Sequence, residues 1–268
     1  MINVEILTIG NEILLGLVPD TNSSYLCRLV RGMGGRVRRI AVLRDEIDAI
    51  SEEIKGSLER GTDLIFTCGG LGPTDDDLTL AAVAKATNTG LSLNAIAQEF
   101  VENRYKELAS QGFVSKAEMT ESRMKMACLP EEAQPIQNPV GAAPAVIMKT
   151  ARSRIVCLPG VPAELKGLIE GPLKDMLAEV FGRGSYRERE LIVECGDESE
   201  LAPALRKVSA LHPDVYFKSR ASHFGADVKF RILISASGKS DREAGEIVER
   251  AASDLTATLS EAGINQPR

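Results

Sequence analysis

Three glycines and three aspartates lie within one short stretch, Gly69-Gly70-Leu71-Gly72-Pro73-Thr74-Asp75-Asp76-Asp77. Glycine-rich backbone ahead of a helix leaves N–H groups free for an anion, and the positive end of the helix dipole attracts phosphate. Three carboxylates at the same place repel a bare phosphate. A divalent ion, Mg²⁺ or similar, removes the conflict, because carboxylates bind it and it bridges to the phosphate oxygens held by glycine N–H groups. The chemistry that this pattern serves is therefore that of a metal-bound phosphate. It is not a Walker loop, since no Gly-Lys-Ser/Thr follows, and the G-x-G-x-x-G spacing is absent. A plainer reading stays open, in which Thr74 caps a helix, Asp77 is its partner three residues on, and the other acids complement the dipole.

Further candidates stand where predicted strands end. "IGNEILLG" supplies Asn11 and Glu12, "DTNSS" supplies Asp20 and "LRDE" supplies Asp45. "NPVGAAPAV" holds Asn138 and Gly141 in a loop punctuated by proline and glycine, and "LPGVPAE" places Gly160 before Pro162, which suits a first helical turn. Lys125 is a cation able to balance charge building up on phosphorus. Each has a structural alternative: a turn for Asn11, a helix cap for Asp20, a solvated surface for Lys125.

The elements that position these residues follow from periodicity. "INVEILTIG", "RVRRIAVL" and "DLIFTC" read as strands, and "TNSSYLCRLVRGMGG", "DAISEEIKGSLERG" and "DDDLTLAAVAKAT" as the helices between them. Such alternation predicts right-handed crossovers and a three-layer α/β/α fold around a mainly parallel sheet. Residues 94–127 read as one or two surface helices, followed by strands "APAVIM" and "RIVCLPG" and a helix over "VPAELKGLIEGPLKDMLAEVF". Ligands bind outside the carboxyl ends of such sheets, so four strand-exit loops surround one crevice. "GRGSYRERE" (182–190) is expected to be a linker, and residues 186–268 form a smaller β-α-β-β-α module after a domain of residues 1–180.

The composition narrows the function. A net charge of -6 argues against broad binding of nucleic acid. Five scattered cysteines and two histidines offer no zinc spacing and point to reduced thiols. No apolar run reaches the length of a membrane span and the first residues lack the marks of a secretory leader, so a cytoplasmic protein with no membrane partner is expected.

Together, "IGNEILLG", "DTNSSYL", "TCGGLGPTDDDLT", "NPVGAAPA" and "LPGVPAE" resemble the N-terminal region of the CinA family, within the molybdopterin-binding MoaB/MogA-like superfamily. The resemblance covers nearly the whole chain, with the last eighty or so residues similar to the KH-type module that follows in CinA. It implies active-site acids at Asp77 and Asp45, a divalent metal, and hydrolysis of the pyrophosphate of ADP-ribose. It also implies a homo-oligomer, a dimer for preference. The amidase domain of full-length CinA finds no counterpart, so that activity is not expected of this chain. Ala145 and Ala142 depart from a common glycine and threonine, and Met126 from a common glutamine.

The expected assignment is thus a metal-dependent hydrolase of ADP-ribose or a similar nucleotide. Gly69, Gly70 and Gly72, with Thr74, seat the phosphates. Asp76 and Asp77 bind metal, Asp45 orients it and Lys125 stabilises charge. Alternatives are nucleotidyl transfer to a pterin and a ligand-binding module without turnover. The KH-type module lacks the G-x-x-G loop of nucleic-acid clamps, with "CGDES" and "HFGAD" the nearest approaches, so no nucleic-acid partner is expected.

Overall fold

The segment "NVEILTI" is apolar on both sides of its pleat, and it forms β1 (Asn3–Ile9), buried on both faces as a central parallel strand must be. The computed structural model describes residues 1–182, 184–195, 197–221 and 229–264. The chain divides into two compact units, Met1–Val30 with Gly35–Val180, and Arg31–Gly34 with Phe181–Arg268.

In the first unit β1 is followed by α1 (Asn11–Leu14), α2 (Thr21–Gly32), β2 (Arg36–Leu43), α3 (Ile47–Glu59), β3 (Leu64–Cys68) and α4 (Thr79–Thr87). Then come β4 (Leu91–Leu93), α5 (Ala95–Ser110), α6 (Glu121–Lys125), β5 (Cys128–Pro130), β6 (Gln134–Ile136), β7 (Ala145–Lys149), β8 (Arg154–Leu158), α7 (Pro162–Glu170) and α8 (Lys174–Phe181). Six strands make one sheet in the order β2-β1-β3-β8-β7-β6. The first four are mutually parallel, and β7 runs antiparallel to β8. The chain moves from β1 to β2 on one side, then back across to β3 on the other. The crossing direction reverses there, which makes the β1/β3 boundary the switch point where a crevice opens.

Leu7, Ile9, Ile65, Ile155, Cys157 and Val146 share a core cluster with Ile50 and Ile54 of α3, Leu80 and Val83 of α4 and Val101 of α5. Side chains alternate across a strand, so Ile6, Phe66 and Val156 line the opposite face. Leu26 and Val30 of α2 and Leu165 and Leu168 of α7 are buried with them. Two bonds tie that layer together: Asn22 Nδ2 donates to Gly160 O at 2.7 Å, and Tyr25 Oη donates to Glu170 Oε1 at 3.3 Å.

One charge is buried in this unit. Glu5 of β1 is 1% exposed and accepts from Arg60 Nε (3.0 Å), Arg60 Nη2 (2.7 Å), Thr62 Oγ1 (2.7 Å) and Ser57 Oγ (2.8 Å). Burial pushes its carboxyl up, but the bonds from Arg60, Thr62 and Ser57 and the Arg60 charge outweigh that and hold it at about 2. A carboxyl lowered by folding stabilises the protein above its unfolded pKa, and that contribution is lost as pH falls toward the folded value. Acid unfolding should therefore lose on the order of 3 kcal/mol between roughly pH 4.5 and pH 2 from this group alone. Glu5→Gln, which removes the charge and leaves Arg60 its bond to Glu53, should abolish that segment of the pH–stability curve measured by urea unfolding.

The second unit holds β9 (Ser185–Glu194), α9 (Glu198–Leu211), β10 (Val215–Ala221), β11 (Lys229–Gly238) and α10 (Asp241–Glu261). Its sheet is antiparallel in the order β10-β11-β9, and Leu191, Val193, Phe230, Ile232, Val208, Leu255 and Leu259 form its core. The β-α-β-β-α order agrees with the sequence reading. Gly196 of "CGDES" and all of "HFGAD" lie outside the described residues.

Several boundaries differ from expectation. The expected linker is largely strand: Ser185 to Glu194 pair with β11 along their whole length. Helix α4 begins at Thr79 rather than at the aspartates. The helix after "LPG" is two, α7 and α8, broken at Gly171-Pro172, and the second surface helix shrinks to the five residues of α6. The short strands β4, β5 and β6 carry too few residues for periodicity to reveal.

Candidate functional site

The carboxyl ends of β1, β2, β3 and β8 open into one cleft of about 590 Å³, lined by Gly10, Glu12, Asp45, Gly69 to Thr74, Asp76, Asp77 and Pro159 to Pro162. Tyr105, Met126, Ala142, Ala143 and Glu164 complete its wall. That size falls in the range of small-molecule sites.

The glycine loop is shaped by the sheet. Gly69 has φ +109° and a Cβ there would lie 2.2 Å from Ile9 O; its N–H donates to Leu158 O at 2.9 Å. Gly69 therefore has no N–H to offer a phosphate, contrary to expectation. It lets β3 pass between β1 and β8. Gly70 has φ +68° and presses against Thr79, whose Oγ1 donates to Gly69 O at 2.8 Å and whose N–H donates to Gly70 O at 3.2 Å. The helix start is thereby tied back to the loop. The N–H groups of Gly70 and Gly72 have no acceptor among the described residues, so these two remain available to an anion.

The acids sit on a turn, not on a helix. Thr74 N–H donates to Asp77 Oδ2 at 2.8 Å, Asp77 N–H donates to Thr74 O at 3.1 Å, and Thr74 Oγ1 reaches Asp77 Oδ2 at 2.6 Å and Asp76 Oδ1 more closely. The bond from Thr74 N–H to the Asp77 carboxylate is half of a capping box, but the Asp77 N–H goes to the Thr74 carbonyl rather than to its hydroxyl, and α4 starts five residues after Thr74, so neither residue caps it. Gly72 lacks a Cβ that would stand 2.6 Å from Asp77 Oδ2. Lys125 Nζ donates to Thr74 O and does not line the cleft. It braces the acid turn and lines a smaller neighbouring pocket with Gly70, Gly72 and Asp77. The Thr74 hydroxyl, the Asp76 backbone N–H and the Lys125 charge together hold the Asp76 carboxyl below the usual range.

Asp45 accepts the Asn11 N–H at 2.7 Å. Burial first, and then the charges of Glu12 and Asp76, push its carboxyl up, against the Asn11 bond. Three acids from three strand-exit loops thus share one region of field. Asn11 takes part through its backbone, not as a wall of the cleft. Asp20 proves to be the α2 cap: its Oδ1 accepts Ser23 N–H at 2.9 Å and its Oδ2 accepts Thr8 Oγ1 at 3.0 Å. It borders a smaller side pocket with Gly160.

Asn138 is buried and organises its loop, accepting N–H from Val140 (3.0 Å) and Gly141 (2.9 Å) and donating to Ala143 O (2.9 Å) and Glu164 Oε2 (2.7 Å). Neither Asn138 nor Gly141 lines the main cleft, while Gly160 does. Two wall residues escape the sequence reading. Glu164 gives a faint signal, an acid in the first turn after "LPG". Tyr105 gives none, being one residue of an amphipathic helix.

A divalent ion suits this region in charge and donor type, since hard carboxylate oxygens from Glu12, Asp45 and Asp76 are mutually repelling without one. Among the described residues, however, no three acid, histidine or cysteine side chains converge closely enough to hold a metal unaided. Ligand phosphate oxygens would have to complete the coordination.

An open α/β sheet with a glycine loop and acids at its switch point is the architecture in which a crevice for a small molecule forms. The family described as "Probable molybdopterin binding domain" matches residues 5–179. A protein from Caldivirga maquilingensis is 40% identical over 93% of this chain and 94% of its own, and one from Aeropyrum pernix is 36% identical over 96% of each. The crystal structure of the protein CinA with unknown function from Thermoplasma acidophilum is 33% identical, covering 65% of this chain and 98% of that one with a TM-score of 0.59. The chain belongs to the molybdopterin-binding MoaB/MogA-type family, in its CinA-like form. Among the described residues no helix is long and apolar enough to cross a membrane.

Proposed function

We propose that the cleft binds a phosphorylated heterocycle of the molybdopterin or nucleotide class through a divalent cation. The observation that carries this reading is the meeting of two unspent N–H groups, Gly70 and Gly72, with the acids Asp45, Asp76, Asp77 and Glu12 on one wall. The family description supports the ligand class. Gly70 and Gly72 would donate to phosphate oxygens. Asp76 and Asp77, held in register by Thr74, and Asp45, oriented by Asn11 N–H, would hold the cation. Such an ion supplies charge neutralisation and polarises the phosphate oxygens.

Hydrolysis of ADP-ribose to AMP and ribose 5-phosphate is a second reading. It uses the same seat, where the cation would polarise the phosphoanhydride oxygens for attack by water. Phosphate-ligand binding predicts that inorganic pyrophosphate binds in calorimetry with Mg²⁺ and loses most of its affinity when EDTA removes the metal. Binding that is indifferent to EDTA would refute the cation's part. Incubation with ADP-ribose and Mg²⁺ separates turnover from binding, because AMP appears only if the phosphoanhydride is cleaved. We also infer, from the family resemblance, a cytoplasmic homo-oligomer.

A further inference from the structure

The cleft has two chemically distinct ends. Asp45 lies in the field of Glu12 and Asp76, whereas the charge that acts on Glu164 is Arg104 of α5. Around Glu164 the wall is apolar: Ala143 and Met126 belong to the core, and Ala142 and Tyr105 pack against it. The Tyr105 ring is fixed, with the Arg123 guanidinium 3.7 Å from its centroid and Arg123 itself anchored on Lys116 O (2.9 Å) and Glu118 O (2.6 Å).

Glu164 is built into place. Asn138 Nδ2 donates to its Oε2 at 2.7 Å, and Gly141 is a glycine where a Cβ would stand 1.9 Å from that same oxygen. The Asn138 loop is thus moulded around a carboxylate. The second oxygen, Oε1, has no partner among the described residues and the side chain lines the cleft. Burial raises this carboxyl while Asn138 and Arg104 oppose the shift, so the group is half-desolvated and positioned for a donor.

We propose that Glu164 is the specificity-determining acceptor of this site, taking the paired N–H donors of a 2-amino-4-oxo-pyrimidine edge while Tyr105 stacks the ring. That edge is shared by pterins and guanine. An ionised carboxylate only accepts, so it matches two adjacent donors and is repelled by the N1 acceptor of adenine. Hypoxanthine, lacking the 2-amino group, supplies one donor of the two. The proposal rests on the reading of the cleft as a phosphate-ligand site, since the phosphate end fixes which way the ring points.

The test uses four diphosphates with Mg²⁺ in calorimetry: GDP, IDP, ADP and 6-hydroxymethylpterin diphosphate. On the native protein, GDP or the pterin should bind at least roughly tenfold more tightly than IDP and ADP. The tighter of the two names the ring. In Glu164→Gln the amide oxygen still accepts from Asn138, which turns the NH₂ toward the ligand's own donors, so the preference should vanish. Inorganic pyrophosphate should bind both proteins alike, which also reports an intact fold. Equal affinity of the native protein for GDP and IDP with a pterin no tighter, or a preference that survives in Glu164→Gln, overturns the proposal. A ring preference without Mg²⁺-dependent pyrophosphate binding would instead count against the metal–phosphate reading alone.

Discussion

Asp77→Asn should weaken Mg²⁺-dependent binding of pyrophosphate by roughly 10- to 100-fold while leaving the melting temperature almost unchanged. The separation of the two effects follows from the geometry. Asp77 Oδ2 accepts from Thr74 N–H at 2.8 Å and from Thr74 Oγ1 at 2.6 Å, and an asparagine oxygen accepts the same bonds in nearly the same place. What the substitution removes is a negative charge beside Asp76 and Asp45, which matters to a cation and not to the turn. Asp75→Asn is the control, because Asp75 is exposed and is not part of the cleft wall. If both variants bind pyrophosphate as the native protein does, Asp77 has no place among the groups that hold the metal.

Gly69→Ala should damage the fold itself. The residue sits at φ +109°, and its new methyl would meet the Ile9 carbonyl at 2.2 Å, a backbone atom fixed in the central strand. Relief requires β1 and β3 to separate at their carboxyl ends, which breaks the frame of the cleft. The expected loss is on the order of 3 kcal/mol or more. Gly16→Ala isolates the dihedral cost, since Gly16 has φ +71° with nothing within 4 Å of its Cβ position. About 1 kcal/mol is expected there. Comparable urea midpoints for the two variants would mean that the contact with Ile9 is not what demands glycine at position 69.

Much of the site was legible in the residues. The strand and helix periods located the exit loops of β1, β2, β3 and β8, and the resulting cleft is lined by Glu12, Asp45, Asp76, Asp77 and Gly160 as expected. The same periods failed where composition masks structure. "SYRERE" is charged enough to read as linker, yet it is an edge strand whose exposed positions tolerate charge while Leu191 and Val193 turn inward. Asp20 and Asn138 looked equally suited to a ligand and to a structural bond, and the structure gives them structural bonds.

The sequence by itself determined the long strands and helices of the first unit, and that acids and glycines meet at one end of the sheet. Those properties depend on local periodicity and on the topology it implies. Only the tertiary structure decided where each polar group is spent. Gly69 gives its N–H to Leu158, Lys125 turns to Thr74, and Asn138 holds a carboxylate from α7. It also brought Tyr105 and Glu164, far apart in the chain, to the same wall. A hydrogen bond is fixed by angles and by tenths of an ångström between packed elements, whereas residue order constrains only the elements themselves.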